Sequence, residues 1–407
     1  MNLYDVTPVS VADYRLRARR RLPGFLFNYI DGGANDEDTM AANVADFRRY
    51  RLKQRVMRNV EGVDTRTTLA GHAASMPIAL APVGMAGMFA RRGEVQGARA
   101  AKTAGIPFTT STVGICPVEE VAAAIHQPFW FQLYMLRDRD LILKLLQRAQ
   151  NAGCDTLVFT VDLPVAGLRL RDYRNGMLGG GLPGKLSQLA QIITSPLWAV
   201  DVGLKGKPHN FGNLRDVVPD PDDLNAYKAF VDAQFDPTVT WEDIAWLRSV
   251  WQGKILIKGV LEADDARAAI DTGADGVIVS NHGGRQLDGV ASSITKLAAV
   301  AAAVGDQAEV YLDGGVRSGI DVVKALALGA RGVLIGRPWV FAMAACGEGG
   351  VVKLLELFRQ EIATAMALMG VTSIDEITSE LVEMAVNDHR ATATDFTNPG
   401  PGAAPPA

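Results

Sequence analysis

The sequence predicts an α/β protein built on an eight-stranded (β/α)8 barrel, a TIM barrel, with an N-terminal helical segment and a long insertion after the fourth strand. Eight short apolar runs alternate with longer Ala- and Leu-rich stretches that carry charges at helical spacing. This pattern is typical of parallel strands joined by helices. Polar residues and glycines follow most of the runs, at the end of the strands where barrel enzymes place their sites. The length of 407 residues accommodates a barrel of roughly 250 residues with insertions.

The eight predicted strands favour a barrel over its main alternative, an open doubly wound sheet. An open sheet would also place ligands at strand ends, but it rarely draws polar groups from nearly every strand. In chain order, the predicted strands are residues 77–84, 107–112, 129–134, 156–162, 255–260, 276–283, 309–315 and 332–338.

Three segments lie outside the eight repeats. Residues 1–76 are predicted to be helical, with Pro23 near the start of one helix. The stretch 165–248, between the fourth and fifth strands, is far longer than a usual connection and indicates an inserted lid or docking segment. The Pro-, Gly- and Ala-rich tail 389–407 has little to bury and is predicted to be disordered. We therefore expect one domain over residues 1–388.

The composition excludes several classes of function. A net charge of -4 and a pI near 5.8 provide no general attraction for phosphates, so we expect no nucleic acid partner. The three cysteines are far apart and form no CxxC pair, which argues against a metal site or a disulfide framework and fits a reducing cytoplasm. No apolar run is long enough to cross a bilayer.

The segment 280–288 (SNHGGRQLD) carries the most specific chemistry. It places His282 and Arg285 three residues apart, just after an apolar strand. Histidine can accept a proton near neutral pH, and arginine can bind a carboxylate through two hydrogen bonds. A histidine alone is more often structural, but the two side chains together suit an anionic substrate that loses a proton.

The ends of the seventh and eighth strands predict a phosphate site. Segments 313–319 (DGGVRSG) and 336–338 (GRP) lie where barrels bind phosphate with backbone amides, helix N-termini and a cation. Asp313 can take the ribityl hydroxyls of a flavin nucleotide, and Arg337 and Arg317 can meet its phosphate. Either motif alone is compatible with ordinary loop glycines and a surface arginine. Both motifs at these two strands favour the phosphate site.

Lys258 ends the fifth predicted strand, within the run IKGV. A lysine inside an apolar run is unfavourable unless its amine meets a negative group. A reduced flavin anion would supply such a group. The alternative is a lysine whose stem is buried and whose amine reaches solvent.

Together these motifs resemble the FMN-dependent L-2-hydroxy acid oxidising enzymes, a family that includes glycolate oxidase, lactate oxidase, mandelate dehydrogenase and the flavocytochrome lactate dehydrogenases. The resemblance covers about residues 10–380 and rests on the segments SNHGGRQLD, LDGGVRSGIDVVKALALGA, IGRP, FQLY, TVD and LPGFLFNYIDGGANDE. It implies FMN as the cofactor and a small 2-hydroxy acid as the substrate. It also implies a homo-oligomer, with a tetramer favoured.

The resemblance further implies roles for individual residues. His282 is the catalytic base, and Asp162 supports the imidazolium that it becomes. The substrate carboxylate and hydroxyl are contacted by Arg285, Arg169, Tyr29 and Tyr134. FMN is held by Ala81, Pro82 and Val83 against its ring, Ser111, Gln132 and Thr160 at the ring edge, Lys258 beside N1 and O2, and Asp313, Gly315, Arg317, Gly336 and Arg337 around the ribityl phosphate.

Within the family, the segments STVGICPVEEVA, FTVDLP and DVGLKGKPHNFGN look most like the bacterial respiratory L-lactate dehydrogenases that pass electrons to quinone. This likeness implies oxidation of L-lactate to pyruvate in the cytoplasm or at the cytoplasmic face of the inner membrane. Val113 and Ala166 replace bulkier family residues, which puts a preference for glycolate in doubt. A soluble oxidase that uses oxygen and an FMN-barrel isomerase remain alternatives, although an isomerase does not need both a base and carboxylate-binding arginines.

The segment 186–204 (LSQLAQIITSPLWAVDVGL) is apolar and nearly uncharged. If it is not packed in a core, it exposes more apolar surface than soluble monomers usually tolerate, so we expect it to cover something. With Pro196 and Asp201 inside it, the segment is a poor spanning helix. It can lie in the membrane interface with Trp198 at headgroup depth. The alternatives are packing against the barrel or against a neighbouring subunit.

Overall fold

The structure is a computed structural model that describes residues 7–178, 180–215 and 233–385. Eight parallel strands form one sheet, in which neighbours along the chain pair from the second strand onward and the eighth pairs with the first. A bridge between Leu80 and Phe108 joins the first strand to the second and closes the predicted barrel. In chain order the strands are Ile78–Leu80, Thr109–Ser111, Phe129–Tyr134, Cys154–Thr160, Lys254–Val260, Gly276–Val279, Glu309–Asp313 and Gly332–Ile335.

Several strands end earlier than the sequence predicts. The first strand ends at Leu80 rather than at residue 84, and the sixth ends at Val279 rather than at residue 283. Pro82 has no N–H for a ladder, and Gly283 takes a positive φ of 66° that a strand does not contain. The seventh and eighth strands also end early, and a helix begins at Arg337. The polar motifs therefore lie in loops above the barrel and not in its strands.

One helix follows each strand on the outside of the barrel. In Arg139–Asn151, for example, the Asp138 side chain accepts from the Leu141 N–H and caps the helix, and Leu145 and Leu146 are buried against the barrel. In chain order the eight helices are Gly93–Ala104, Val118–Ile125, Arg139–Asn151, Trp241–Val250, Ala263–Asp271, Ser293–Val304, Gly319–Ala327 and Arg337–Met369, the last kinked at Gly347.

The helix Trp241–Val250 corrects one predicted boundary. It leads directly into the fifth strand and takes the place of the barrel helix that follows the fourth strand. The inserted part therefore ends before Trp241 and not near residue 248. The predicted tail 389–407 lies outside the described residues.

The interior of the barrel is filled by side chains. Trp130 and Tyr311 meet edge to face, with ring centroids 6.0 Å apart, among Val158, Leu256 and Ile278. This packed core leaves no pore, so ligand chemistry is confined to the ends of the strands.

The N-terminal segment folds over the barrel and is only partly helical. Its helices are Val11–Arg21, Gly24–Asp31 and Asp38–Ala45, followed by the 3-10 helix Asp46–Arg49. The prediction of helices throughout 1–76 is wrong beyond residue 49, because β-branched threonines and positive-φ glycines there favour extended chain and turns. The remaining short elements are the strands Tyr50–Leu52 paired with Val382–Met384, the hairpin Thr67–Leu69 with His72–Ala74, and the 3-10 helices Ala86–Met88, Ile374–Glu376 and Ser379–Leu381.

Among its described residues, the insertion contains the helices Leu170–Arg174, Gly181–Ile193 and Pro196–Trp198 and the π-helix Ala199–Leu204. Gln191 and Trp198 are two of the side chains that tie it to the rest of the molecule. The Gln191 Oε1 accepts from the Phe25 N–H at 2.7 Å and serves the first turn of helix Gly24–Asp31, which has no side-chain cap of its own. The Trp198 Nε1 donates to the Met88 carbonyl at 2.7 Å.

The position of Trp198 contradicts its predicted place at the membrane surface. The side chain is only 5% exposed, because its apolar rings pack on the barrel while the indole N–H finds a buried carbonyl. In the described part of the chain, no helix has both the length and the apolar character needed to cross a bilayer.

Candidate active site

His282 and Asp162 form the central pair of the site, brought together from loops after the sixth and fourth strands. The His282 Nδ1 lies 2.7 Å from the Asp162 Oδ1. His282 takes a positive φ of 58°, and its own N–H donates to the Ser280 Oγ at 3.0 Å. Gly259 permits the approach, since a Cβ there would lie 2.6 Å from the Asp162 Cβ. The backbone therefore presents the imidazole to the cavity with its second nitrogen, Nε2, away from the carboxylate.

Two arginines lie against the ring of Tyr29 beside this pair. The guanidinium carbon of Arg285 is 4.7 Å from the ring centroid, and that of Arg169 is 5.5 Å away. Burial and the nearby Arg169 charge lower the pKa of Arg285. Burial also acts to lower the pKa of Arg169, but Tyr29 and Asp172 outweigh it and the pKa is raised. The pair forms a positive surface suited to a carboxylate.

Tyr134 closes the same end of the cavity from the third strand. Its ring meets Phe235 edge to face at 5.3 Å. Burial and the Asp162 carboxylate raise the pKa of its hydroxyl above the ordinary value, so it stays protonated at neutral pH. Tyr134 and Tyr29 therefore place two phenol side chains around one point, as predicted.

Lys258 meets a carboxylate of the protein itself. Its Nζ lies 2.8 Å from the Asp313 Oδ2 and donates to the Ser280 Oγ at 2.9 Å. Burial acts to lower the pKa of Lys258, but the Asp313 charge outweighs it and the pKa is raised. A reduced flavin was the predicted source of the negative charge that balances the Lys258 amine. The Asp313 carboxylate already supplies a negative charge. Both side chains still line the cavity.

The end of the cavity near the seventh and eighth strands is strongly positive. Arg317 and Arg337 are half-buried there, with the half-buried Arg285 nearby, and none of the three lies within ion-pair distance of a carboxylate in the described part of the chain. Burial, followed by repulsion from Arg285 and Arg317, lowers the pKa of Arg337 to about 9. Its guanidinium donates to the carbonyls of Ile30, Gly32 and Gly283. A cluster of like charges without carboxylate partners is stabilised when an anion binds to it.

The predicted residues divide into those that line the cavity of about 150 Å³ and those that support it. The lining includes Tyr29, Ala81, Pro82, Val83, Tyr134, Thr160, Lys258, His282, Arg285, Asp313, Gly315, Arg317, Gly336 and Arg337. Ser111 and Gln132 lie behind the wall and bond each other, Oγ to Oε1, at 2.8 Å. Asp162 stands behind His282, and Arg169 lines a second cavity.

Comparison with known proteins identifies this arrangement. Residues 18–384 match the family of FMN-dependent dehydrogenases. The chain is a member of that family. The L-lactate dehydrogenase of Alcaligenes faecalis is 52% identical over 92% of this chain and 98% of its own length. That of Caulobacter vibrioides is 54% identical over 92% of this chain and 97% of its own length.

Solved structures of the same fold agree with this membership. The monotopic membrane protein (S)-mandelate dehydrogenase has a TM-score of 0.87 and 35% identity, and the match covers 93% of this chain and 100% of that chain. A mandelate oxidase has a TM-score of 0.79 and 38% identity over 93% of this chain and 99% of that chain. This FMN-dependent dehydrogenase therefore uses FMN on a TIM barrel.

The cavity of this FMN-dependent dehydrogenase fits that cofactor. The Gln132 Nε2 and the Thr160 Oγ1 are buried, and within the described residues neither has a hydrogen-bond partner. They suit the polar edge of a flavin ring. The guanidinium groups of Arg317 and Arg337 supply charge for a phosphate. At Gly315, with φ of 82°, a Cβ would lie 1.9 Å from the Asn43 carbonyl oxygen, so only glycine fits this turn.

The sequence analysis missed several supporting residues. Asp172 accepts from the Arg169 Nε at 2.9 Å and is nearly fully buried. Asp288 accepts from the Thr39 N–H at 2.8 Å and fastens the N-terminal segment to the loop that carries His282. The spacing of three residues between the opposite charges of Arg169 and Asp172 was a usable signal. Nothing local to Asp288 indicates a partner so distant in sequence.

Proposed function

We propose that this enzyme oxidises L-lactate to pyruvate and passes the two electrons through FMN to a quinone. The observation that carries the proposal is the hydrogen-bonded pair of His282 and Asp162, which faces two arginines across one cavity. A base beside a carboxylate-binding surface is what oxidation of a 2-hydroxy acid needs. The relatives named L-lactate dehydrogenase support lactate as the substrate.

The substrate carboxylate is held by Arg285 and Arg169, whose planar groups can bind both of its oxygens. Tyr29 and Tyr134 contact the carboxylate and the hydroxyl. Because the His282 Nδ1 is engaged by Asp162, the imidazole takes the hydroxyl proton at Nε2. The Asp162 carboxylate then stabilises the imidazolium.

The cofactor supplies the two-electron acceptor for the substrate when it is bound. Ala81, Pro82 and Val83 pack against its ring, while Lys258 and Asp313 face it as a pair. The remaining residues proposed to hold it are Ser111, Gln132 and Thr160 at the ring edge and Gly315, Arg317, Gly336 and Arg337 at the phosphate.

Anaerobic reduction of the bound FMN by a panel of 2-hydroxy acids tests the reaction. L-lactate should bleach the flavin absorbance faster than glycolate, mandelate or D-lactate, and quinone should restore it faster than oxygen. Rapid reoxidation by oxygen alone would establish an oxidase instead. A flavin that none of the acids reduces would overturn the proposal and leave the isomerase as the better candidate.

We also propose that the insertion rests on the cytoplasmic face of the inner membrane. Its outward side carries an apolar stripe, which we call the insertion stripe, with exposed fractions from 49% to 73%: Leu182, Leu186, Leu189, Ile193, Leu197, Val200 and Leu204. The spacing of three and four residues places the helical members on one face. The exposed Lys185, Lys205 and Lys207 beside the stripe suit anionic lipid. Sedimentation with anionic and with neutral vesicles measures this contact, and binding to neither would refute it.

We make two further proposals, one about the domain organisation of the chain and one about its oligomeric state. Residues 1–388 form one domain, supported by the pairing of Tyr50–Leu52 with Val382–Met384 across the ends of the chain. The enzyme is a homo-oligomer, with a tetramer favoured by the family resemblance. Limited proteolysis tests the first proposal, and analytical ultracentrifugation tests the second.

A further inference from the structure

A second cavity of about 220 Å³ adjoins the one described above. The two cavities share Val113 and the side chains of Tyr29, Tyr134, His282 and Arg285. A molecule in the second cavity therefore reaches the same reacting groups as the substrate.

The wall of the second cavity is polar at one end and apolar over the rest of its length. Its charged or titratable groups belong to the shared end and to Arg169 beside it. The rest of its wall is apolar apart from Gln188, and includes Phe25, Met85, Met88 and Leu178. The methyl group of lactate would fill little of this space. Flexible methionines and aromatic rings suit a flat apolar molecule and offer nothing to a second anion.

The outer wall of the second cavity belongs to the insertion. Leu178 and Gln188 line the cavity, and Gln188 lies on the helix Gly181–Ile193 whose other side carries the insertion stripe. The Gln188 Nε2 donates to the Gly176 carbonyl and keeps this wall together. The same helix therefore separates the cavity from the surface proposed to lie on lipid.

We propose that the second cavity is the binding site of the electron acceptor, a quinone whose ring lies between the helices Gly24–Asp31 and Gly181–Ile193. This inference rests on the proposed function, which makes quinone the acceptor. A lipid-soluble quinone is uncharged and flat, so it matches the apolar wall. Its isoprenoid tail can leave beside the insertion stripe.

The end shared by the two cavities, lined by Tyr29, Tyr134, His282 and Arg285, determines the order in which substrate and quinone bind. Because the carboxylate-binding groups line both cavities, the 2-oxo acid must leave before the quinone ring can enter fully. The 2-hydroxy acid gives up two electrons and two protons and becomes the 2-oxo acid. The quinone takes two electrons and two protons and becomes the quinol. Substrate and quinone therefore compete for the shared end, and turnover follows a ping-pong sequence.

The test narrows the outer part of the cavity with Leu178→Trp in the FMN-loaded enzyme. The matched control is Leu182→Trp, at a side chain that is 70% exposed and does not line the cavity. Met177→Trp is a second narrowing variant, since Met177 also lines the outer part of the cavity and is only half-buried. The probe is dimethoxymethylbenzoquinone, a quinone ring without a tail, because it needs no membrane.

Leu178→Trp and Met177→Trp should slow reoxidation by the quinone at least about tenfold. They should also weaken quinone binding to the oxidised enzyme by a similar factor in calorimetry. Anaerobic reduction by lactate and reoxidation by ferricyanide should change less than about twofold. High lactate should inhibit quinone reduction competitively, and Leu182→Trp should match the wild type.

Three results would overturn the inference, and each has a different meaning. If quinone reoxidises the wild type but both narrowing variants match it, the quinone binds elsewhere. If the narrowing variants slow lactate reduction instead, the cavity belongs to the substrate side chain. If no quinone reoxidises the wild type, quinone is not the electron acceptor and that part of the proposed function is wrong.

Discussion

The carboxyl-terminal end of the barrel and the insertion hold their side chains in different ways. Above the barrel, functional groups are buried and fixed by a partner, as in the pairs His282 with Asp162 and Lys258 with Asp313. In the insertion, a few anchors such as Trp198 fix one side, and the opposite side exposes leucines without partners in the described structure. The first region is preorganised for chemistry, and the second exposes an apolar face that we propose to lie on a membrane.

This contrast has a practical consequence for mutagenesis. Changes above the barrel should alter the reaction of the enzyme with its substrate and leave its attachment intact. Changes on the insertion stripe should do the reverse. The predictions below test whether the two regions can be separated in this way.

The largest effect is expected from His282→Gln. Glutamine keeps a polar side chain but cannot take the hydroxyl proton, so FMN reduction by L-lactate should slow by about 100-fold or more. Stopped-flow absorbance under anaerobic conditions measures the rate, and the FMN content should stay at one per chain. His72→Gln, at an exposed position in the hairpin far along the chain from the site, is the control. Near-normal reduction in the His282 variant would show that the base is another group.

Arg285→Lys should weaken substrate binding more than it slows the chemical step. Lysine keeps the charge but loses the planar pair of donors, which we expect to raise the lactate KM about tenfold or more. The control is Arg267→Lys on the exposed face of a barrel helix. An unchanged KM would argue that Arg169 alone holds the carboxylate.

The insertion stripe should behave in the opposite manner. Replacing Leu186, Leu189 and Ile193 together by serine removes apolar area that is exposed in the isolated chain, so vesicle affinity should fall about tenfold or more. Turnover with a soluble dye should stay within about twofold of the wild type. Serine at Leu143 and Leu368, two exposed leucines outside the insertion, should leave vesicle binding unchanged. Retention of vesicle binding by the triple variant would place the membrane contact elsewhere.

Trp198→Phe should give the smallest effect, and only on stability. Phenylalanine keeps most of the buried area but leaves the Met88 carbonyl without its donor, at a cost of about 1–3 kcal/mol in the free energy of unfolding. Urea denaturation measures the loss. The partly exposed Trp246→Phe is the control. If Trp198→Phe abolished vesicle binding at unchanged stability, the indole would be a membrane contact after all.

The sequence by itself determined the barrel and most of the residues that line the cavity. Short local sequence patterns predict these features. Apolar runs with β-branched residues predict strands, and glycines beside cationic side chains predict anion-binding loops at strand ends. The boundaries were less predictable, because the first strand ends at Leu80 although the apolar run continues through Val83.

Only the tertiary structure decided which partners the functional groups find. Lys258 meets Asp313, and Asp288 holds the N-terminal segment, although each pair is far apart in the chain. The insertion shows the same limit: segment 186–204 is mainly apolar, but folding buries Trp198 and exposes Leu197 next to it. The physical reason is that burial and ion pairing depend on which surfaces meet after the barrel has closed, and neighbouring residues on a helix point to different surfaces.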